Sequence, residues 1–64
     1  MNTKTTSHLS AMFMFFMCDV FNMGGFEEDL YNNSLVRKTL HACYNANESV
    51  EYTVELINFR MGWQ

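Results

Sequence analysis

Proline is absent from this 64-residue chain, and glycine, cysteine and basic residues are scarce. Without proline, an internal repeat or a low-complexity tract, the sequence contains no linker, so we predict a single small domain over residues 1–64. Gly24 and Gly25 lack the lysine or the third glycine that a phosphate-binding loop requires. A domain of this length buries only about 60% of its unfolded surface, so we expect the folded state to be only marginally stable.

Basic side chains number four against seven acidic ones, which gives a formal net charge of −3. A nucleic-acid-binding surface needs clustered lysine and arginine to displace counterions from phosphates. Here Lys4, Arg37, Lys38 and Arg60 include only one adjacent pair. We therefore expect no nucleic-acid partner, and we keep as an alternative a small dimeric nucleic-acid-associated regulator in which dimerisation doubles these charges.

Two cysteines, Cys18 and Cys43, are too few for the disulfide framework of a small secreted domain. Free cysteine usually behaves as a small buried apolar side chain, so we predict two reduced, buried thiols and a cytoplasmic location. The sequence leaves open whether the two are bridged. With His8 and His41 they form four potential zinc ligands, but without the paired spacing of structural zinc sites. We expect no metal, with a zinc-stapled structural domain as an alternative.

The most unusual feature present is the run AMFMFFMCDVFNMGG at residues 11–25. A transmembrane helix needs about 20 mostly apolar residues, and this run is shorter and carries Asp19 and Asn22. A signal peptide would place small residues before its cleavage point, where Phe16 and Met17 stand before Cys18. We therefore expect no membrane partner and a retained segment.

Helical periodicity accounts for this run. Apolar residues recur at i, i+3, i+4, i+7, i+11 and i+14, which predicts an inner stripe of Leu9, Met12, Phe13, Phe16, Val20 and Met23. We predict a helix over about residues 8–23, with Ser7 or Ser10 as its N-cap and the two glycines at its end. Met14 and Phe15 fall on the opposite face, where either the rest of the chain or a partner must cover them.

A second amphipathic helix is predicted over about residues 34–45, with Ser34 as N-cap. Its inner face carries Val36, Leu40, Cys43 and Tyr44, and its outer face carries Arg37, Lys38 and His41. Residues 26–31 between the two helices read as one or two helical turns, with carboxylates at the positive end of the helix dipole.

The C-terminal segment, about residues 49–61, alternates apolar and polar residues and is rich in β-favouring types. We predict a β-strand that pairs either with an N-terminal strand at residues 2–8 or with its copy across a homodimer, which gives an α+β fold class. The alternative is an all-α three-helix domain with Val50, Val54, Ile57 and Met61 on one face. A helix there would leave Tyr52, Phe59 and Trp63 without core positions.

Catalytic and cofactor-binding residues are not predicted, and we expect no enzymatic activity. His41 and Cys43 point in different directions on a helix, so they do not form a nucleophile and base pair. The carboxylates at residues 27–29 serve a helix dipole better than acid–base chemistry.

These exclusions, together with more apolar surface than a short chain hides, predict a small intracellular protein–protein interaction module. The expected partner is a larger protein, and we also expect a homodimer. The size is typical of phage or mobile-element inhibitors that occlude a host protein's surface. Candidate contact residues are Met14, Phe15, Tyr52 and Trp63, because exposed methionine and aromatic side chains are favoured at interfaces.

Overall fold

A computed structural model describes the backbone of residues 2–63 and the side chains of residues 11–63. Within this range the chain forms three α-helices and no strand. The helices are α1 (Asn2–Gly24), α2 (Ser34–Asn45) and α3 (Val50–Met61), and a 3-10 helix spans Glu28–Asn32 between the first two. The predicted α+β fold class is therefore wrong, and the three-helix alternative is correct.

The predicted C-terminal strand is helix α3. Its first turn is capped by Ser49, whose hydroxyl accepts a hydrogen bond from the backbone N–H of Tyr52 at 3.0 Å. The alternating pattern misled because the same residues also satisfy a helical stripe, along which Thr53 and Ile57 are buried. A helix bonds its own backbone internally, whereas a lone strand needs a partner strand.

The predicted N-terminal partner strand is also wrong, because α1 already includes residues 2–8. Neither Ser7 nor Ser10 begins the helix, since both lie within it. The sheet shared across a homodimer loses its basis because the C-terminal segment that would form it is helix α3. At its other end α1 stops at Gly24, as predicted, and α2 has the predicted bounds, although Asn33 and not Ser34 is its N-cap.

Every α-helix contributes a fully buried apolar residue to the core, as Val20, Leu40 and Ile57 show. Other buried apolar side chains surround them: Phe13, Phe21, Val36 and Cys43. The buried face of α1 is rotated from the predicted stripe, because Met12 and Met23 are 59% and 54% exposed. The fold thus closes an apolar centre while leaving several methionines outside it.

Two threonines are the buried polar residues among those described. The hydroxyls of Thr39 and Thr53 each donate to the carbonyl four residues earlier, both at 2.8 Å, so burial leaves neither donor unpaired. The Thr39 hydroxyl also accepts a hydrogen bond from Arg60 at 3.1 Å, which joins α2 to α3.

A residue in the left-handed region follows each α-helix within two residues of its end: Gly25, Asn47 and Gly62, with φ of 68°, 59° and 78°. The next residue returns its backbone N–H to the carbonyl five positions earlier, as in Phe26 to Phe21 at 2.9 Å. This is the Schellman arrangement, which satisfies carbonyls that the helix end would leave free.

Replacing Asn33 with alanine should lower the free energy of unfolding by about 1 kcal/mol. The Asn33 side chain accepts hydrogen bonds from the N–H groups of Leu35 and Val36, and alanine offers no acceptor. Urea denaturation followed by circular dichroism measures the change. Asn32→Ala, at an exposed neighbour outside the cap, is the matched control and should change stability by less than about 0.5 kcal/mol.

Candidate protein-binding surface

The junction between α1 and the 3-10 helix is shaped by Phe26. Gly25 turns the chain so that the Phe26 ring packs edge-on against Phe21, with ring centroids 5.7 Å apart at 87°. The ring lies over Gly24, where an added Cβ would stand 2.5 Å from it. A glycine at position 24 is therefore a steric requirement for this packing.

Phe26 separates two apolar grooves. The first, which we call the methionine groove, is about 440 Å³ and lies between α1 and the 3-10 helix. It is lined by Met14, Met17, Cys18, Phe21, Asn22, Phe26, Glu28 and Tyr31. Its wall is mostly apolar, and its two methionines are side chains that adapt readily to an incoming surface.

The second, which we call the tryptophan groove, lies on the other side of the Phe26 ring and is about 390 Å³. It is lined by Gly25, Phe26, Glu27, Asp29, Leu30 and Trp63. The Trp63 ring stands 6.1 Å from the Phe26 ring, centroid to centroid, and so brings the end of α3 to the α1 junction.

Carboxylates border both grooves. Glu28 lines the methionine groove, whereas Glu27 and Asp29 line the tryptophan groove. Neither lining includes lysine or arginine among the described residues. The surface around Phe26 therefore combines apolar walls with a negative rim.

Two of the four predicted contact residues meet at this surface. Met14, 49% exposed, lines the methionine groove, and Trp63, 48% exposed, lines the tryptophan groove. Phe15 is 70% exposed and Tyr52 is 45% exposed, yet neither lines the methionine groove or the tryptophan groove. All four are accessible, but the structure does not unite them into one patch.

Sequence reasoning missed Phe26 and Phe59 as candidate contact residues. Phe59 is 69% exposed and follows Tyr52 by seven residues, so two helical turns place both on the outer face of α3. A helical interpretation of residues 50–61 would have found it. The one sequence feature that could have pointed to Phe26 is the pair of glycines that precedes it.

Both thiols are free. Cys43 is buried, whereas Cys18 is exposed. The predicted burial is confirmed for Cys43 and wrong for Cys18. The His41 ring stacks on Phe13 with centroids 4.2 Å apart, and its Nε2 is hydrogen-bonded to the Tyr31 hydroxyl at 3.1 Å. Among the described side chains, no three histidine, cysteine or acidic groups meet as metal ligands; His8 lies outside them.

No helix within residues 2–63 is both long enough and apolar enough to cross a membrane. Comparison with known proteins adds no relative, because no family model, curated protein or solved structure matches this chain.

Proposed function

We propose that this chain is a small helical protein-binding module that occludes the surface of a larger partner. The observation that carries the proposal is the contrast between core and surface. Leu40 and Ile57 are at most 1% exposed, so the core is closed, yet Phe15 and Phe59 expose about 70% of their area. Folding does not use these outer side chains, and methionine and aromatic groups are enriched at protein interfaces.

The Phe26 surface is the main contact region of the proposal, and Phe15 extends it along α1. Grooves on both sides of Phe26 offer pockets for a partner's anchoring side chains, which is how most binding energy is concentrated. A larger partner, a cytoplasmic location, a homodimer and a role as a phage or mobile-element inhibitor of a host protein remain predictions.

Met14→Gln with Phe15→Gln should abolish capture of the partner while leaving the fold intact. Both side chains are exposed, so the free energy of unfolding should change by less than about 1 kcal/mol. Glutamine keeps helix propensity and adds no charge. The measurement is affinity capture from a cell extract with the full chain as bait, alongside urea denaturation of bait and variant.

Phe13→Gln is the matched control on the same helix. Phe13 is 6% exposed, so this variant should unfold the protein and lose capture for a structural reason. Undiminished capture by the folded Met14 and Phe15 double variant would remove α1 from the proposed binding surface.

A nucleic-acid-associated regulator is the second candidate, because Arg37, Lys38 and His41 line one open concavity on α2. Two cations are already engaged, however. Arg37 donates to the Tyr31 carbonyl at 2.9 Å, and Arg60 donates to Thr39 at 3.1 Å. Retention on a heparin column that falls steeply with salt would favour this candidate over the first.

A further inference from the structure

The methionine groove has a chemistry that selects its occupant. We propose that it receives a basic amphipathic helix of the partner protein, with apolar side chains between α1 and Phe26 and with lysine or arginine over Glu28 at its rim and over Glu27 and Asp29 of the adjoining tryptophan groove. This inference rests on the proposed protein-binding function and names the partner's class at that same site.

The walls fit an apolar helix face. Met14 and Asn22, the first and last α1 residues that line the groove, are eight residues apart, so the groove runs for about 12 Å, or just over two helical turns. A partner helix presents apolar side chains at i, i+4 and i+7 over the same length. Met14 and Met17 carry flexible thioethers, which can repack around such side chains.

The negative charge around the methionine groove favours a basic helix over a second copy of the chain as the occupant. The chain carries a net charge of −3, and Glu28 lines the groove, whose lining includes no lysine or arginine among the described residues. A second copy would bring its own carboxylates against this rim, and juxtaposed like charges oppose association. A basic helix instead meets complementary charge, which raises its association rate and fixes its orientation.

The occupant is a helix and not an added strand. Strand addition requires an exposed sheet edge with free backbone groups. Residues 2–63 contain no strand, and the walls of the groove belong to α1 and the turn that follows it. Side-chain contacts therefore have to supply the affinity.

The probe is a synthetic helical peptide of about 14 residues, with leucine at i, i+4 and i+7 and lysine on both flanks. One comparison peptide carries glutamate in place of lysine, and another scrambles the leucine positions. The readout is the NMR signal of methionine methyl groups labelled in the full chain. Binding of the basic peptide should shift Met14 and Met17, while exposed Met12 and Met23 outside the groove should stay unchanged.

A triple variant, Glu27→Gln with Glu28→Gln and Asp29→Asn, should weaken the basic peptide at least ~10-fold at physiological salt, where screening leaves mainly short-range charge effects. Replacing Glu48, Glu51 and Glu55 together with glutamine removes the same charge at positions that line neither the methionine groove nor the tryptophan groove. This matched control should change affinity by less than about 2-fold.

The outcomes separate the two levels of the proposal. Equal binding of the glutamate peptide at Met14 and Met17 would overturn the basic partner while leaving a protein-binding groove. Methyl shifts that grow with protein concentration alone would make a second copy the occupant. If none of the three peptides shifts Met14 or Met17, the inference fails. If capture also survives Met14→Gln with Phe15→Gln, the proposed function of α1 fails with it.

Discussion

Leu40→Ala should destabilise the protein strongly and lower the free energy of unfolding by about 2–5 kcal/mol. Leu40 is 0% exposed at the meeting point of the three helices, and alanine leaves a cavity as well as losing apolar burial. A domain of this length has only about 3–10 kcal/mol of stability in total. Urea denaturation followed by circular dichroism, with thermal melting as a second readout, measures the loss.

Leu35→Ala is the matched control, since it makes the same chemical change on the same helix. Leu35 is 40% exposed, and only its backbone N–H is used by the Asn33 cap. Its cost should stay below about 1 kcal/mol, partly offset by the higher helix propensity of alanine. Similar losses at both positions would contradict the packing of α2 described above.

Gly24→Ala should destabilise the native chain but stabilise a chain that carries Phe26→Ala. In the native chain the new methyl group would meet the Phe26 ring at 2.5 Å and force it out of place, at a cost of about 1–3 kcal/mol. In a Phe26→Ala background the obstacle is gone, and the same change should stabilise the protein by up to about 1 kcal/mol through helix propensity. Chemical denaturation of the four proteins in this cycle gives the coupling.

Gly25→Ala serves as the comparison for that cycle. No atom lies within 4 Å of the position where its Cβ would stand, but φ is +68°, so its cost of about 1–2 kcal/mol is conformational. The cost should be the same with or without the Phe26 ring. A Gly24→Ala effect that is likewise independent of residue 26 would contradict the ring position, and with it the wall between the two grooves.

The extent of successful prediction differs among the helices for a physical reason. In α2 the apolar residues match only one period, so its bounds at Ser34 and Asn45 followed directly from the sequence. In α3 the same residues fit a two-residue and a 3.6-residue repeat. What decided between them was the absence of a partner strand, since residues 2–24 are themselves helical. Tertiary context of that kind is invisible in one segment's pattern.

The candidate surface was predictable only in part. Helical periodicity predicts that Met14 and Phe15 lie on the face of α1 opposite its inner stripe, but it left open what covers them; in the structure both are exposed. The role of Phe26 did not follow, because it depends on a left-handed residue before it and a missing Cβ two residues away. Such contacts depend on a turn conformation that the sequence pattern leaves unspecified.

The helix endings also explain why proline is absent just after the helices, a place where it is common in other proteins. After each of α1, α2 and α3, two consecutive residues donate their backbone N–H groups to carbonyls of the helix. These residues are 25 and 26, 47 and 48, and 62 and 63. Proline has no N–H to donate, and its φ near −65° cannot take the left-handed conformation. Proline substitution in loops is a common route to thermostable variants. It is therefore not available at any of these six positions.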